Sequence, residues 1–158
     1  NIIDTLKMYF QYHFQEKIRG DQGAAYSVQV LGGTSSSPNY QQELFIRFAT
    51  SLDEGPEMRS LVRERIQEFL KQGITDEEVE DFILAIKKEK KSADDVAYNT
   101  IVFWTDNLQF YNKTGKRMDS PIYFDSIVDK IKAKDVLVFA RKFFNSAQCV
   151  DLVIKSKY

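Results

Sequence analysis

Glycine and proline are scarce in this chain, whose 158 residues include only 7 glycines and 3 prolines. This share is roughly half of what soluble domains usually carry, and folds built from many short strands need more turn residues. The composition therefore favours a domain rich in helices. The length suits one domain with a substantial core, so residues 1–158 are interpreted as a single domain.

Helices are predicted where apolar residues recur every three or four positions. Such stretches cover 2–19, 56–72, 76–91, 97–111, 124–131 and 136–144. Pro56 suits a first helical turn, Gly73 suits a helix end, and Thr75 with Glu78 has the spacing of a capping box. Within 97–111, the heptad-spaced residues are predicted to contact the core or another domain, which leaves Phe103 and Phe110 outside that stripe. The predicted stripe is Ala97, Ile101, Trp104, Leu108 and Tyr111.

Three segments instead show apolar residues at every second position, which is the period of a strand. They begin near Ala25, near Leu44 and near Val150. The first two predict an antiparallel hairpin with a long connection, and the third predicts a closing strand. The predicted fold is α+β: a two-layer sandwich with helices packed on one face of an antiparallel sheet.

Charge and residue counts exclude several kinds of site. The net charge is −1 and the isoelectric point is near 5.9, so the basic surface of a nucleic-acid-binding protein is absent. One histidine, His13, and one cysteine, Cys149, fall short of the three or four ligands of a usual zinc site. No stretch reaches the roughly 18 apolar residues that span a bilayer. We therefore expect no metal, no nucleic acid and no membrane span in this chain.

Individual polar residues do not assemble a catalytic motif along the sequence. His13 is predicted to lie at a helix surface or core edge, and residues 35–37 are predicted to form a hairpin loop. The lysines between Lys87 and Lys91 are interpreted as a solvated helix face, with an anion-binding patch as the alternative. No catalytic residue is predicted, because no nucleophile has a base at a recognisable spacing.

One segment resembles a known family. In residues 16–28 a helix ends in Ile18-Arg19, passes a glycine and enters a strand at Ala25-Tyr26-Ser27-Val28. This is similar to the C-terminal domain of the pitrilysin/insulinase family of zinc peptidases, which includes mitochondrial processing peptidase. Arg19 and Tyr26 match the family's Arg/Tyr pair, residues 73–78 resemble its glycine-x-threonine-acidic helix start, and the later elements follow its order.

The sequence also departs from the family pattern. Gly20 stands where the family usually has glutamate, and Ala133 stands where its last helix usually has a threonine cap. The domain's usual first strand and the H-x-x-E-H metal motif are absent. The expectation is therefore a fragment of a longer protein, lacking its first strand, whose zinc lies in a homologous N-terminal half or subunit.

The resemblance implies the non-catalytic, substrate-binding half of a zinc metalloendopeptidase. Arg19 and Tyr26 would bind a peptide substrate and help to stabilise the oxyanion formed at the other half's zinc. The resemblance also suggests a bacterial cell-envelope location. One alternative is a metal-free interaction or assembly module of the same fold, and another is an unrelated domain that binds a peptide along a sheet edge.

We also expect the fragment to self-associate, because aromatic residues lie outside the main helix stripes.

Overall fold

The computed structural model describes residues 2–22, 27–35, 41–51, 53–115 and 121–154. Within these ranges, the side chains of 17–22, 35 and 121–123 are not described. Along the chain, one helix precedes a single β-hairpin and five helices follow it. In order they are α1 (Ile2–Gln22), β1 (Val28–Ser35), β2 (Gln41–Phe48), α2 (Gly55–Gln72), α3 (Asp76–Ala97), α4 (Ile101–Thr114), α5 (Pro121–Val128) and α6 (Ala133–Ser146).

The hairpin forms a two-stranded antiparallel sheet with one buried and one exposed face. The register pairs Val28 with Phe48 and Ser35 with Gln41. Val28 and Val30 are buried in the core, whereas Leu31 and Phe45 lie opposite each other on the exposed face. The predicted α+β arrangement, with helices on one face of an antiparallel sheet, is confirmed. The hairpin connection was predicted over 32–39, but residues 32–35 belong to β1 and extend the ladder, so this half of the prediction is wrong. The rest of the predicted loop and the predicted strand start at Ala25 lie outside the described residues.

Helix α1 supplies the centre of the core. Its residues Ile3, Leu6, Phe10 and Phe14 are fully or almost fully buried, as their spacing predicts. The Phe10 ring lies 5.5 Å from the ring of Phe69 in α2 and stacks on Phe14 at 5.6 Å. Each such burial contributes about 1.5–3 kcal/mol of transfer free energy. The buried cluster also takes residues from β1, α3, α5 and α6, so one core joins most elements of the described chain.

Three helix boundaries form as their sequences predict. Gly73 ends α2 with φ +78°, and Pro56 lies in the first turn of α2. At the start of α3, the Thr75 hydroxyl accepts from the Glu78 N–H, and the Glu78 carboxylate accepts from the Thr75 N–H at 2.9 Å. The capping box is therefore confirmed.

The predicted closing strand is wrong, because residues 147–154 have no regular secondary structure. The Asp151 carboxylate binds Arg63 of α2 at 2.7 Å, while Val150, Leu152 and Ile154 are more than 80% exposed. Alternating apolar residues form a strand only when a neighbouring strand accepts their backbone hydrogen bonds. Here the segment is held to a helix through Asp151 instead.

Candidate functional site

The two predicted site residues flank the passage from α1 to β1. Arg19 lies in the last turn of α1, and Tyr26 lies between α1 and β1. The Arg19 side chain and the whole of Tyr26 are outside the described residues. Their substrate-binding role therefore stays a prediction. The described structure shows only the two flanking elements, α1 and β1.

Those two elements are joined by a side chain that the sequence analysis did not single out. Gln11 of α1 donates from Nε2 to the Val28 carbonyl at 3.0 Å, and its Oε1 accepts from the Val30 N–H at 2.7 Å. A carboxamide carries the same donor and acceptor as a peptide group, so Gln11 takes the place of one residue of a neighbouring strand. This clamp occupies the β1 edge at Val28 and Val30, where a pairing peptide would have to displace it. Because Val28 and Val30 are distant from Gln11 in the sequence, the sequence pattern does not reveal these hydrogen bonds.

His13 joins α1 to the beginning of α3. Its Nε2 lies 3.2 Å from Glu78 Oε1, and its ring lies 4.2 Å from the Tyr9 ring. The His13 side chain is about a quarter exposed, which confirms the predicted core-edge position. A histidine, a carboxylate and a phenol therefore meet where α1, α2 and α3 converge, because Tyr9 also contacts Phe69 of α2.

The surroundings of Glu78 and Tyr9 shift the pKa values of both side chains. Burial of the Glu78 carboxylate raises its pKa, but the hydrogen bonds from the Thr75 N–H, the Thr75 hydroxyl and His13 outweigh that effect and lower the pKa overall. Burial raises the pKa of Tyr9, and the negative charge of Glu78 raises it further. The contacts therefore favour an ionised Glu78 beside a neutral Tyr9. The sequence identifies Glu78 as a cap but not its contact with His13.

A zinc site does not fit the described part of the chain. Among its residues, no group of three or more histidine, cysteine, aspartate or glutamate side chains is placed to hold a metal ion. His13 and Glu78 supply two donors, and Glu78 is already engaged by Thr75.

Three of the four lysines near the end of α3 are paired with carboxylates. Lys87 binds Asp129 at 2.7 Å, Lys90 binds Asp94 at 2.6 Å and Lys91 binds Asp95 at 3.2 Å. The hydrogen bond from Asp129 raises the pKa of Lys87. Because these three ammonium groups already contact carboxylates, an anion-binding patch is not formed here, and the helix-face interpretation is the better one.

Helix α4 presents to solvent the residues that were predicted to contact the core or another domain. Ile101, Trp104, Leu108 and Tyr111, hereafter the α4 stripe, are between 45% and 82% exposed. The buried residues of α4 are Phe103 and Asn107, so Trp104 and Tyr111 are not core residues, and their contact with another domain stays a prediction. The Phe103 ring lies 4.8 Å from the ring of Tyr98, which precedes α4. The helix also carries Phe103 and Phe110 outside the stripe, and periodicity alone does not indicate which side of the helix is buried.

Comparison with known proteins finds no matching family model and no curated protein with significant sequence similarity. No helix in the described residues is long and apolar enough to cross a membrane.

Proposed function

We propose that this chain is the metal-free, substrate-binding half of a zinc metalloendopeptidase of the pitrilysin/insulinase type. The zinc ion, held by a homologous half with the H-x-x-E-H motif, would supply a Lewis acid for the scissile carbonyl. The chain itself would contribute Arg19, whose guanidinium donates to substrate carbonyls, and Tyr26, whose hydroxyl donates to the developing oxyanion.

The Gln11 clamp is the observation that supports this proposal. It ties the middle of α1 to the beginning of β1 through two hydrogen bonds. Arg19 follows Gln11 by about two helical turns, and Tyr26 precedes Val28 by two residues. A helix and a strand that are clamped together limit how far apart the two positions can move. Such preorganisation is what a pair of donors needs in order to act on one substrate.

The test has a sequence step and a kinetic step. The coding region that precedes residue 1, or the gene of a partner subunit, should encode a homologous domain with H-x-x-E-H, and the assembled enzyme is then assayed on a fluorogenic peptide. Tyr26→Phe should lower kcat by roughly a hundred- to a thousand-fold, as the loss of one oxyanion donor does. Arg19→Ala should chiefly raise KM, because it removes a ground-state contact.

A matched control separates these roles from general damage. Arg47→Ala removes an exposed arginine from the outer face of the sheet and should leave both constants within about twofold. Wild-type turnover in Tyr26→Phe would contradict the assigned role. Equal losses of melting temperature and activity in both site variants would point to a purely structural role for Arg19 and Tyr26.

A second candidate function is a metal-free interaction or assembly module of the same fold. The exposed α4 stripe favours it, since a contiguous apolar row on a surface helix is typical of a protein contact. A preceding domain with a degenerate metal motif, together with an assembled protein that cleaves no peptide after zinc is added, would favour this candidate over the peptidase.

A further inference from the structure

We propose that the α4 stripe pairs with the α4 stripe of a second copy of this chain, as two antiparallel helices about a two-fold axis. This inference is independent of the peptidase proposal and stands or fails by itself. It depends on the spacing, the exposure, the flanking residues and the side-chain sizes of α4.

The spacing of the stripe is that of a helix-to-helix seam. Ile101, Trp104, Leu108 and Tyr111 follow one another at steps of three, four and three, which are the a and d positions of a heptad. All four side chains are substantially exposed. A row this narrow matches the ridge of one partner helix better than it matches the broad face of a sheet.

The flanking positions favour a second copy over a different protein. In a helix pair, charged residues at the e and g positions usually select the partner. Here those positions hold the exposed Thr105, Asn112 and Thr114 and the buried Asn107, none of which is charged. Self-pairing therefore brings no like charges together along the seam, and the helix carries no charge code for another partner.

Side-chain sizes favour the antiparallel arrangement. A two-fold axis near residue 106 places Trp104 opposite Leu108 of the second copy and Ile101 opposite Tyr111, so each aromatic ring meets an aliphatic side chain. A parallel pair would place Trp104 against Trp104 and Tyr111 against Tyr111. The antiparallel pair is also isologous, because each contact occurs twice.

Trp104 is held ready for such a contact. Its indole N–H donates to the Tyr98 carbonyl at 2.9 Å, and its ring lies edge-on to the rings of Tyr98 and Phe103. An immobilised tryptophan loses little conformational freedom on binding, and tryptophan often dominates interface energies. The seam between Ile101 and Tyr111 is only about 15 Å long, so a weak, concentration-dependent dimer is expected.

The experiment measures sedimentation of the chain from micromolar to millimolar concentration, together with the emission of Trp104, the only tryptophan of the sequence. The wild type should dimerise as concentration rises, and its emission should shift to the blue. Leu108→Glu should weaken association by at least about tenfold, because it places a charge against the opposite Trp104. Val102→Glu is the matched control: Val102 is on the same helix, outside the stripe, and both side chains are 64% exposed.

Cross-linking tests the direction of the pair. In a Cys149→Ser background, Ile101→Cys mixed with Tyr111→Cys should form mixed disulfides, whereas each variant alone should cross-link poorly. A chain that stays monomeric at every concentration would overturn the proposal and leave the stripe to a different partner. Association that Leu108→Glu and Val102→Glu weaken equally, or that each cysteine variant captures alone, would also overturn it.

Discussion

At the scale of single residues, the core contains one polar group without a visible partner. Thr5 of α1 is fully buried between Ile3 and Leu6, and within the described chain its hydroxyl has no hydrogen-bond partner. An unsatisfied buried hydroxyl costs about 1–3 kcal/mol. The position is fully buried, so a substitution there measures this cost.

Thr5→Val should therefore raise the free energy of unfolding by about 1 kcal/mol, because valine keeps the branched shape and removes the hydroxyl. Urea unfolding measures this change. Thr105→Val serves as the control: its hydroxyl is exposed and donates to the Ile101 carbonyl, so a change within about 0.5 kcal/mol is expected. A loss of stability in Thr5→Val would show that its hydroxyl is satisfied after all.

Glu78 is the residue whose charge should make stability depend on pH. Its pKa is lowered in the fold by the Thr75 and His13 hydrogen bonds, which outweigh burial. The stabilisation is therefore complete above the ordinary glutamate pKa and is lost as the pH falls through the lowered folded value. Glu78→Gln should cost about 1 kcal/mol at pH 6, and the difference from wild type should shrink towards pH 3.

Urea midpoints at several pH values measure this dependence. Glu77→Gln is the control, because Glu77 is exposed in the same first turn and shares the helix dipole without the Thr75 and His13 contacts. An equal effect of both substitutions at every pH would assign the stabilisation to the helix dipole alone.

At the scale of elements, contacts distant in sequence complete several helix ends. No Lys132 side-chain hydrogen bond caps α6. Instead the Asp76 carboxylate, at the beginning of α3, accepts from the Ala133 N–H at 3.1 Å. At the end of α2, Arg141 of α6 donates to the Leu70 carbonyl at 3.0 Å. One carbonyl at the end of α2 and one N–H at the beginning of α6 are therefore satisfied by neighbouring elements.

The turn between α2 and α3 depends on the absence of a side chain at Gly73. Its φ of +78° lies in the region that favours glycine, and a Cβ there would meet Leu137 at 3.2 Å. Gly73→Ala should destabilise the protein by about 2–3 kcal/mol through strain and crowding together.

Gly115→Ala is the matched comparison for that substitution. Gly115 also has positive φ, at +68°, but no atom lies within 4 Å of its Cβ position. Its cost should be about 1 kcal/mol, from backbone strain alone. Equal unfolding free energies for the two variants would show that contact with Leu137 adds nothing at Gly73.

At the scale of the whole molecule, we make a prediction about zinc binding by the isolated chain in solution. We expect the isolated chain to bind no stoichiometric zinc and to cleave no peptide, since it has one histidine and one cysteine. Metal is stripped with a chelator, zinc is restored and excess is removed by dialysis, after which elemental analysis counts the bound metal. One tightly held zinc per chain would contradict the prediction.

The sequence by itself determined the elements whose signals are local. The 3.6-residue period of α1, the Thr75–Glu78 capping box and the glycine at the end of α2 all follow from interactions within a few residues. These features were predictable because helix formation and capping depend on neighbours along the chain. The choice of Arg19 and Tyr26 depends on a family resemblance and stays a prediction.

Only the tertiary structure decided which surfaces meet. In α4 it buried Phe103 and Asn107, which left the α4 stripe exposed. It held residues 147–154 to α2 through Asp151 instead of adding them to the sheet, and it placed Gln11 at the edge of β1. Each of these outcomes depends on which segments, distant in sequence, come into contact in the folded chain. The periodicity of a segment does not specify that contact.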